Sequence, residues 1–198
     1  MPQDVSISGE AEILEECQDA IGYRFRQPEL LRASLTHASG ANTRLASNER
    51  MEFLGDAIIG MVVVEQLYLR FPDSQKGDLT KIKSVVVSRR TCARMSKHLH
   101  LQDFIFLGRG MHVNGTVPPN ILADVFEALV AGIYLDGGMD GARPFILRLL
   151  GPEIEEVAEG ASGGNFKSVL QQSSQREFNA TPQYILLDEK GPDHSKCF

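Results

Sequence analysis

Two pairs of acids in this chain lie in strongly apolar runs, and that combination invites divalent-metal chemistry. Glu52 and Asp56 belong to ERMEFLGDAIIGMVVVEQLYLR, and Asp124 and Glu127 to ILADVFEALVAGIYL. On a helix that turns about 100° per residue, Glu49, Glu52 and Asp56 leave within an arc of about 60°. Asp124 and Glu127, three residues apart, also share a face. The first run is apolar in nearly every direction, through Phe53, Leu54, Ile58, Ile59, Met61 and the residues after them, which predicts a buried helix. No lysine or arginine stands one turn from Asp56 to neutralise it. Small residues at Ala128, Ala131 and Gly132 would let a second helix approach closely. If the two helices cross there, each pair of carboxylates about 5 Å apart repels by roughly 3 kcal/mol at an effective dielectric near 20. Such a cluster calls for cations. Oxygen-only ligands favour Mg²⁺, Mn²⁺ or Ca²⁺ over zinc, and carboxylate-held Mg²⁺ recurs in phosphodiester hydrolysis. Spacing also leaves open that each pair merely decorates a solvated helix face, because periodicity does not show that two helices touch.

The elements that would position these acids are helices. Apolar residues recur at three- and four-residue spacing near 10–21, 28–36, 49–70, 77–99, 120–136 and 139–158. Pro28 opens the second segment, Asn48 is placed to cap the third, and Pro72 stops it after Phe71. Leu107–Asn120, rich in Gly, Pro and Asn, reads as an exposed loop. Residues 160–164, GASGG, read as a flexible linker. Beyond it, Phe166–Phe178 has the pattern of a short helix and Gln183–Asp188 that of a strand.

Composition bounds the partners. With 42% apolar residues in 198, the chain can bury one sizeable core. The longest apolar stretch, Ala57–Val64, is far short of the roughly 20 residues that cross a bilayer, and Met1–Glu10 has no secretory pattern. A cytoplasmic protein with no membrane partner is expected. Cys17, Cys92 and Cys197 are scattered and read as reduced thiols. The net charge of −6 argues against indiscriminate polyanion binding. Between Lys76 and Arg109, however, eight basic residues face only Asp78 and Asp103. Such a stretch suits either a solvated helix face or a surface that meets phosphates. His37, His98, His100 and His112 lack a plausible shared face, so structural roles are expected of them.

Asn48–Asp56, NERMEFLGD, resembles the signature of the ribonuclease III family, and Ile121–Gly138, ILADVFEALVAGIYLDGG, resembles that family's second motif. IGYRF at 21–25, SLTHAS at 34–39 and GDLTKIKSVVVS at 77–88 support the likeness, which runs from about residue 12 to the end of the chain. The resemblance implies a mainly α protein. An all-helical endonuclease domain would occupy residues 10–159, and residues 165–198 would be the N-terminal half of an α/β double-stranded-RNA-binding domain. It further implies a homodimer that cleaves double-stranded RNA with Mg²⁺, Mn²⁺ being able to substitute, and processes ribosomal and other structured precursors. By motif position Glu52, Asp56, Asp124 and Glu127 would hold the metal, with Asp56 and Glu127 the catalytic pair. Glu49 would help place the scissile strand, and Phe53 would insert into the partner subunit. Gln171 and His194 would reach minor-groove sugar hydroxyls. The chain departs from the family at Lys76, where a glutamate is usual, and at Met111, where an acid often sits. Lys76 and the incomplete binding domain keep a second reading open, a cleavage-impaired RNA-binding or regulatory protein of the same fold.

Overall fold

The computed structural model describes residues 7–108, 116–164 and 174–183. The chain divides into two compact units, Met1–Ala158 and Glu159–Phe198. The helices are α1 (Ile7–Ile21), α2 (Pro28–Leu35), α3 (Glu49–Arg70), α4 (Lys76–Val86), α5 (Arg89–His98) and α6 (Pro119–Gly164), with 3-10 turns at Arg44–Ala46 and Leu101–Asp103. Among the described residues there is no strand, only an isolated parallel bridge between Thr36 and Phe106. In the second unit residues 174–178 are helical. Gln171, His194 and the expected strand beyond residue 183 lie outside the described residues, as do Met111 and His112.

The core is organised around the first arm of α6. Ile121, Leu122, Ala123, Val125, Phe126, and every residue from Ala128 to Ala131 are essentially inaccessible to solvent. A helix apolar on nearly all sides must be enclosed, and between Ile121 and Ile133 only Asp124 is partly accessible. Helix α3 is different. Ile58, Ile59, Val62, Val63 and Leu67 face the core, but Phe53, Met61, Val64 and Tyr68 stay 83, 51, 46 and 73% exposed. The expectation that α3 is buried all round is therefore corrected: one apolar stripe remains uncovered within the chain.

Three boundaries also differ from the sequence pattern. The segment expected as one helix over 77–99 is two, because Ser88 adopts an extended backbone and its Oγ accepts from the Thr91 amide at 3.3 Å, capping α5. Asn48 does not cap α3 through its side chain. Its amide donates to the Thr36 carbonyl (2.9 Å) and its Nδ2 to the Ser34 carbonyl (3.2 Å), so it ties the start of α3 to the end of α2. Residues 160–164 are helical rather than an irregular linker; extending an established helix costs far less than nucleating one.

A kink at Gly138, with φ 64° and ψ −161°, divides α6 into two arms. Beside it, buried Asp136 accepts from the Tyr23 hydroxyl (2.8 Å) and from the amides of Arg26 (3.1 Å) and Gln27 (2.9 Å). A Cβ on Gly137 would overlap the Tyr23 hydroxyl. The motif Asp136-Gly137-Gly138 is thus a clasp: a carboxylate that satisfies the turn before α2, a close approach, and a left-handed residue that only glycine adopts cheaply. Burial raises the Asp136 pKa, but the hydrogen bonds from Tyr23, Arg26 and Gln27 outweigh it and leave the carboxyl below its ordinary value.

Candidate active site

Helices α3 and the first arm of α6, whose contact the apolar spacing left open, touch at Gly55 and Glu127. A Cβ built on Gly55 would overlap the carbonyl oxygen of Glu127 and lie 3.2 Å from its Cα. Glycine at 55 therefore lets the two backbones meet, and it lies between Glu52 and Asp56 on one side and opposite Glu127 on the other. Helix α5 closes the third side. Its buried face carries Cys92, which interacts with the Glu127 carboxyl, and Ser96, whose hydroxyl donates to the Leu122 carbonyl.

The four acids form a gradient of exposure. Glu127 is 8% exposed, the Asp124 and Glu52 side chains 18 and 26%, and Asp56 is open to solvent. Burial, then repulsion from Asp56, Glu52 and Asp124, pushes the Glu127 carboxyl up to about 7. Burial also raises Glu52, aided by Asp124, and raises Asp124, with Arg89 opposing both. Cys92, raised to about 12 by burial and then by Glu127, remains a neutral thiol beside the carboxyl.

Arg89, the first residue of α5, places one guanidinium nitrogen 3.8 Å from Glu52 Oε1 and 3.7 Å from Asp124 Oδ1. Those separations are ion pairs too long for hydrogen bonds, and Asp124 Oδ1 is buried without a hydrogen-bond partner. As the side chains stand, no group of three or more His, Cys, Asp or Glu among the described residues is close enough to hold a metal ion. The site nevertheless fits one chemically: four hard oxygen donors at one helix crossing, a Glu127 carboxyl raised by burial and then by its three acidic neighbours, and a buried Asp124 oxygen without a hydrogen-bond partner.

Comparison with known proteins agrees with this geometry. The Ribonuclease-III-like family model matches residues 27–154. The chain belongs to the ribonuclease III family. It is similar to Ribonuclease 3 of Rhodopirellula baltica, at 49% identity over 185 residues that cover 93% of this chain and 70% of that protein. Ribonuclease 3 of Symbiobacterium thermophilum is 43% identical, covering 92% and 78%. Among solved structures, the nuclease domain of ribonuclease III from Campylobacter jejuni, described for flexibility in a region involved in dimer formation, superposes with a TM-score of 0.66 at 35% identity. That match covers 71% of this chain and 97% of that domain.

Within this ribonuclease III fold, the other residues singled out by sequence take distinct places. Glu49 stands at the rim, its carboxylate bound by Arg44 Nε at 3.0 and 2.8 Å, and that hydrogen bond holds its pKa below the ordinary range. Phe53 projects into solvent beside Leu45 and Leu135, around a cavity of about 730 Å³. Lys76 opens α4 and lines a separate groove with Val64, Tyr68 and Leu79 rather than the acids. Two participants escaped the sequence reading. Arg89 was visible only as one of eight basic residues. His37, expected to be structural, is close enough to act electrostatically on both Glu49 and Asp124, with its Nδ1 engaged by Ser39 Oγ at 2.8 Å. The signal for His37 was its place in SLTHAS, whose backbone is pinned by the amide of His37 donating to the Phe106 carbonyl at 3.2 Å. Among the described residues no helix is long and apolar enough to cross a membrane.

Proposed function

We propose that this endoribonuclease of the ribonuclease III family cuts double-stranded RNA, including ribosomal and other structured precursors, using divalent metal held by Glu52, Asp56, Asp124 and Glu127. The carrying observation is the α3–α6 crossing at Gly55, which gathers the four carboxylates and drives Glu127 to about 7. Mg²⁺, with Mn²⁺ able to substitute, would supply Lewis-acid polarisation of the phosphoryl oxygen and a nucleophile at neutral pH. The chain's own groups divide the remaining work. Glu127, fixed on the central helix and backed by the neutral Cys92 thiol, forms the floor of the site. Asp56 stands at its open edge, where a phosphodiester arrives, and with Glu127 forms the catalytic pair. Glu49, clamped by Arg44, sits one turn before Glu52 and bears on the placement of the scissile strand.

The working unit is a homodimer. Phe53, Ala57, Met61, Val64 and Tyr68 follow one another by three or four residues along α3 and are all exposed in the single chain, which is the surface a second copy would cover. Residues 165–198 are read as the start of a double-stranded-RNA-binding domain, with Gln171 and His194 as its sugar contacts. The decisive measurement is cleavage of a perfect RNA duplex in Mg²⁺ by the protein and by Glu127→Gln. We expect product only from the former. Equal product from both would remove Glu127 from catalysis, and duplex binding without any cutting would favour the regulatory reading that Lys76 keeps open.

A further inference from the structure

The face of α5 turned away from the core is a basic groove that begins at the acid cluster. Arg89, Arg90, Arg94 and Lys97 are exposed, whereas Thr91, Cys92, Ala93, Met95 and Ser96 are buried. Together with Pro119 and Asn120 at the start of α6, the basic residues line a groove of about 580 Å³. Their partners differ. Arg94 is committed to Glu153 on the second arm of α6, with Nη1 at 2.7 Å from Oε1, and acts as a brace. Arg90 and Lys97 make no ion pair among the described residues. Arg89 lies at ion-pair distance from Glu52 and Asp124 without hydrogen bonding to either, so its N–H groups remain available.

From Arg89 to Lys97 the helix advances about 12 Å, so the groove leads away from the carboxylates along a line of positive charge. Over a chain with net charge −6, such a line is the one type of surface that lowers the repulsion a polyanion meets near four acids. We propose that this groove carries the phosphodiester backbone of the RNA strand next to the cut, with Arg90 and Lys97 as phosphate ligands and Arg89 joining the groove to the acid cluster. The proposal rests on the reading of the site as an RNA-cleaving centre. The groove explains how strand and carboxylates come together: phosphate contacts set register and orientation without reading sequence, and Arg89 can turn from Glu52 and Asp124 to a phosphate once other cations neutralise those acids.

The test separates binding from cutting. The 198-residue chain is titrated against a fluorescent RNA duplex in EDTA over a series of salt concentrations, and cleavage in Mg²⁺ is measured separately. Arg90→Gln/Lys97→Gln is compared with Arg24→Gln/Arg32→Gln, which removes the same charge from residues paired with Glu15, Asp19 and Glu10. Thermal melts check that both variants are folded. We expect the groove variant to bind at least tenfold more weakly at low salt, with a slope of log affinity against log salt shallower by about 1 to 2, and with the loss in cleavage appearing in KM. The control is expected to bind as the parent does. A groove variant that binds like the parent, or a control that loses as much, overturns the proposal while parent cleavage leaves the active-site reading intact. Parent protein that binds through the groove but never cuts overturns the catalytic reading and supports the groove.

Discussion

Glu127 is the most strongly perturbed acid of the cluster, and its protonation couples the site to stability. Its pKa lies near 7 in the folded chain, raised from an ordinary 4.5 by burial and by its three acidic neighbours. A raised folded-state value means that the native protein holds a proton between about 4.5 and 7 that the unfolded chain has released, so stability must fall as pH rises through that window. The effect is on the order of 3 kcal/mol for one buried carboxyl. Glu52 and Asp124 shift in the same direction. In EDTA, Glu127→Gln, which is neutral at every pH, is expected to gain stability relative to the parent on going from pH 5 to pH 8. The difference between the two melting curves isolates this group from the histidines. A parent-minus-variant difference that stays constant with pH would show that Glu127 titrates normally. On the proposed metal site, divalent ions would bind the deprotonated cluster, so the rise in Tm on adding Mg²⁺ should grow over the same pH range.

Helix elements acquire their meaning from where they cross. Gly55→Ala places a methyl group on the Glu127 backbone. Helix propensity alone would favour alanine by about 1 kcal/mol, yet overpacking against backbone costs about 1–3 kcal/mol or more, so net destabilisation is expected. Gly151→Ala, also in a helix but with nothing within 4 Å of its new Cβ, should be neutral or stabilising. Opposite signs in urea unfolding would verify the close crossing, and equal signs would refute it. This contrast also marks what the sequence discloses. Helices α2 and α3 were legible to within a residue, since Pro28, Pro72 and the apolar spacing are local signals. The acid cluster was legible as two pairs, and the family motifs joined them. The break at Ser88 was hidden because apolar spacing continues across it, although a serine three residues before Thr91 is a cap signal. Arg89 against Glu52, Asn48 against Ser34 and Asp136 against Tyr23 were not legible, for each partner is brought in by tertiary packing that periodicity does not encode.

The whole molecule is expected to be completed by a second copy of itself. Phe53 is 83% exposed, with Leu45 at 79% and Leu135 at 48% beside the same cavity, and Met61, Val64 and Tyr68 extend the apolar stripe along α3. A buried aromatic anchor at a dimer contact contributes about 2 kcal/mol or more, so Phe53→Ala should weaken dimerisation at least about thirtyfold, at 1.4 kcal/mol per factor of ten. Sedimentation equilibrium across a concentration series reads this directly. Because Phe53 packs against little within its own chain, far-ultraviolet circular dichroism of the variant should match the parent. At high protein concentration the variant's melting temperature should lie below the parent's, because association stabilises the folded parent and the variant lacks that contribution. Asp56 follows Phe53 by three residues on α3, so the seam between copies would run beside both acid clusters. Monomeric variants are therefore expected to lose coordinated cutting of the two strands along with their affinity for each other. A parent chain that stays monomeric at tens of micromolar, or a Phe53→Ala variant that dimerises normally, would assign the exposed stripe to a different partner.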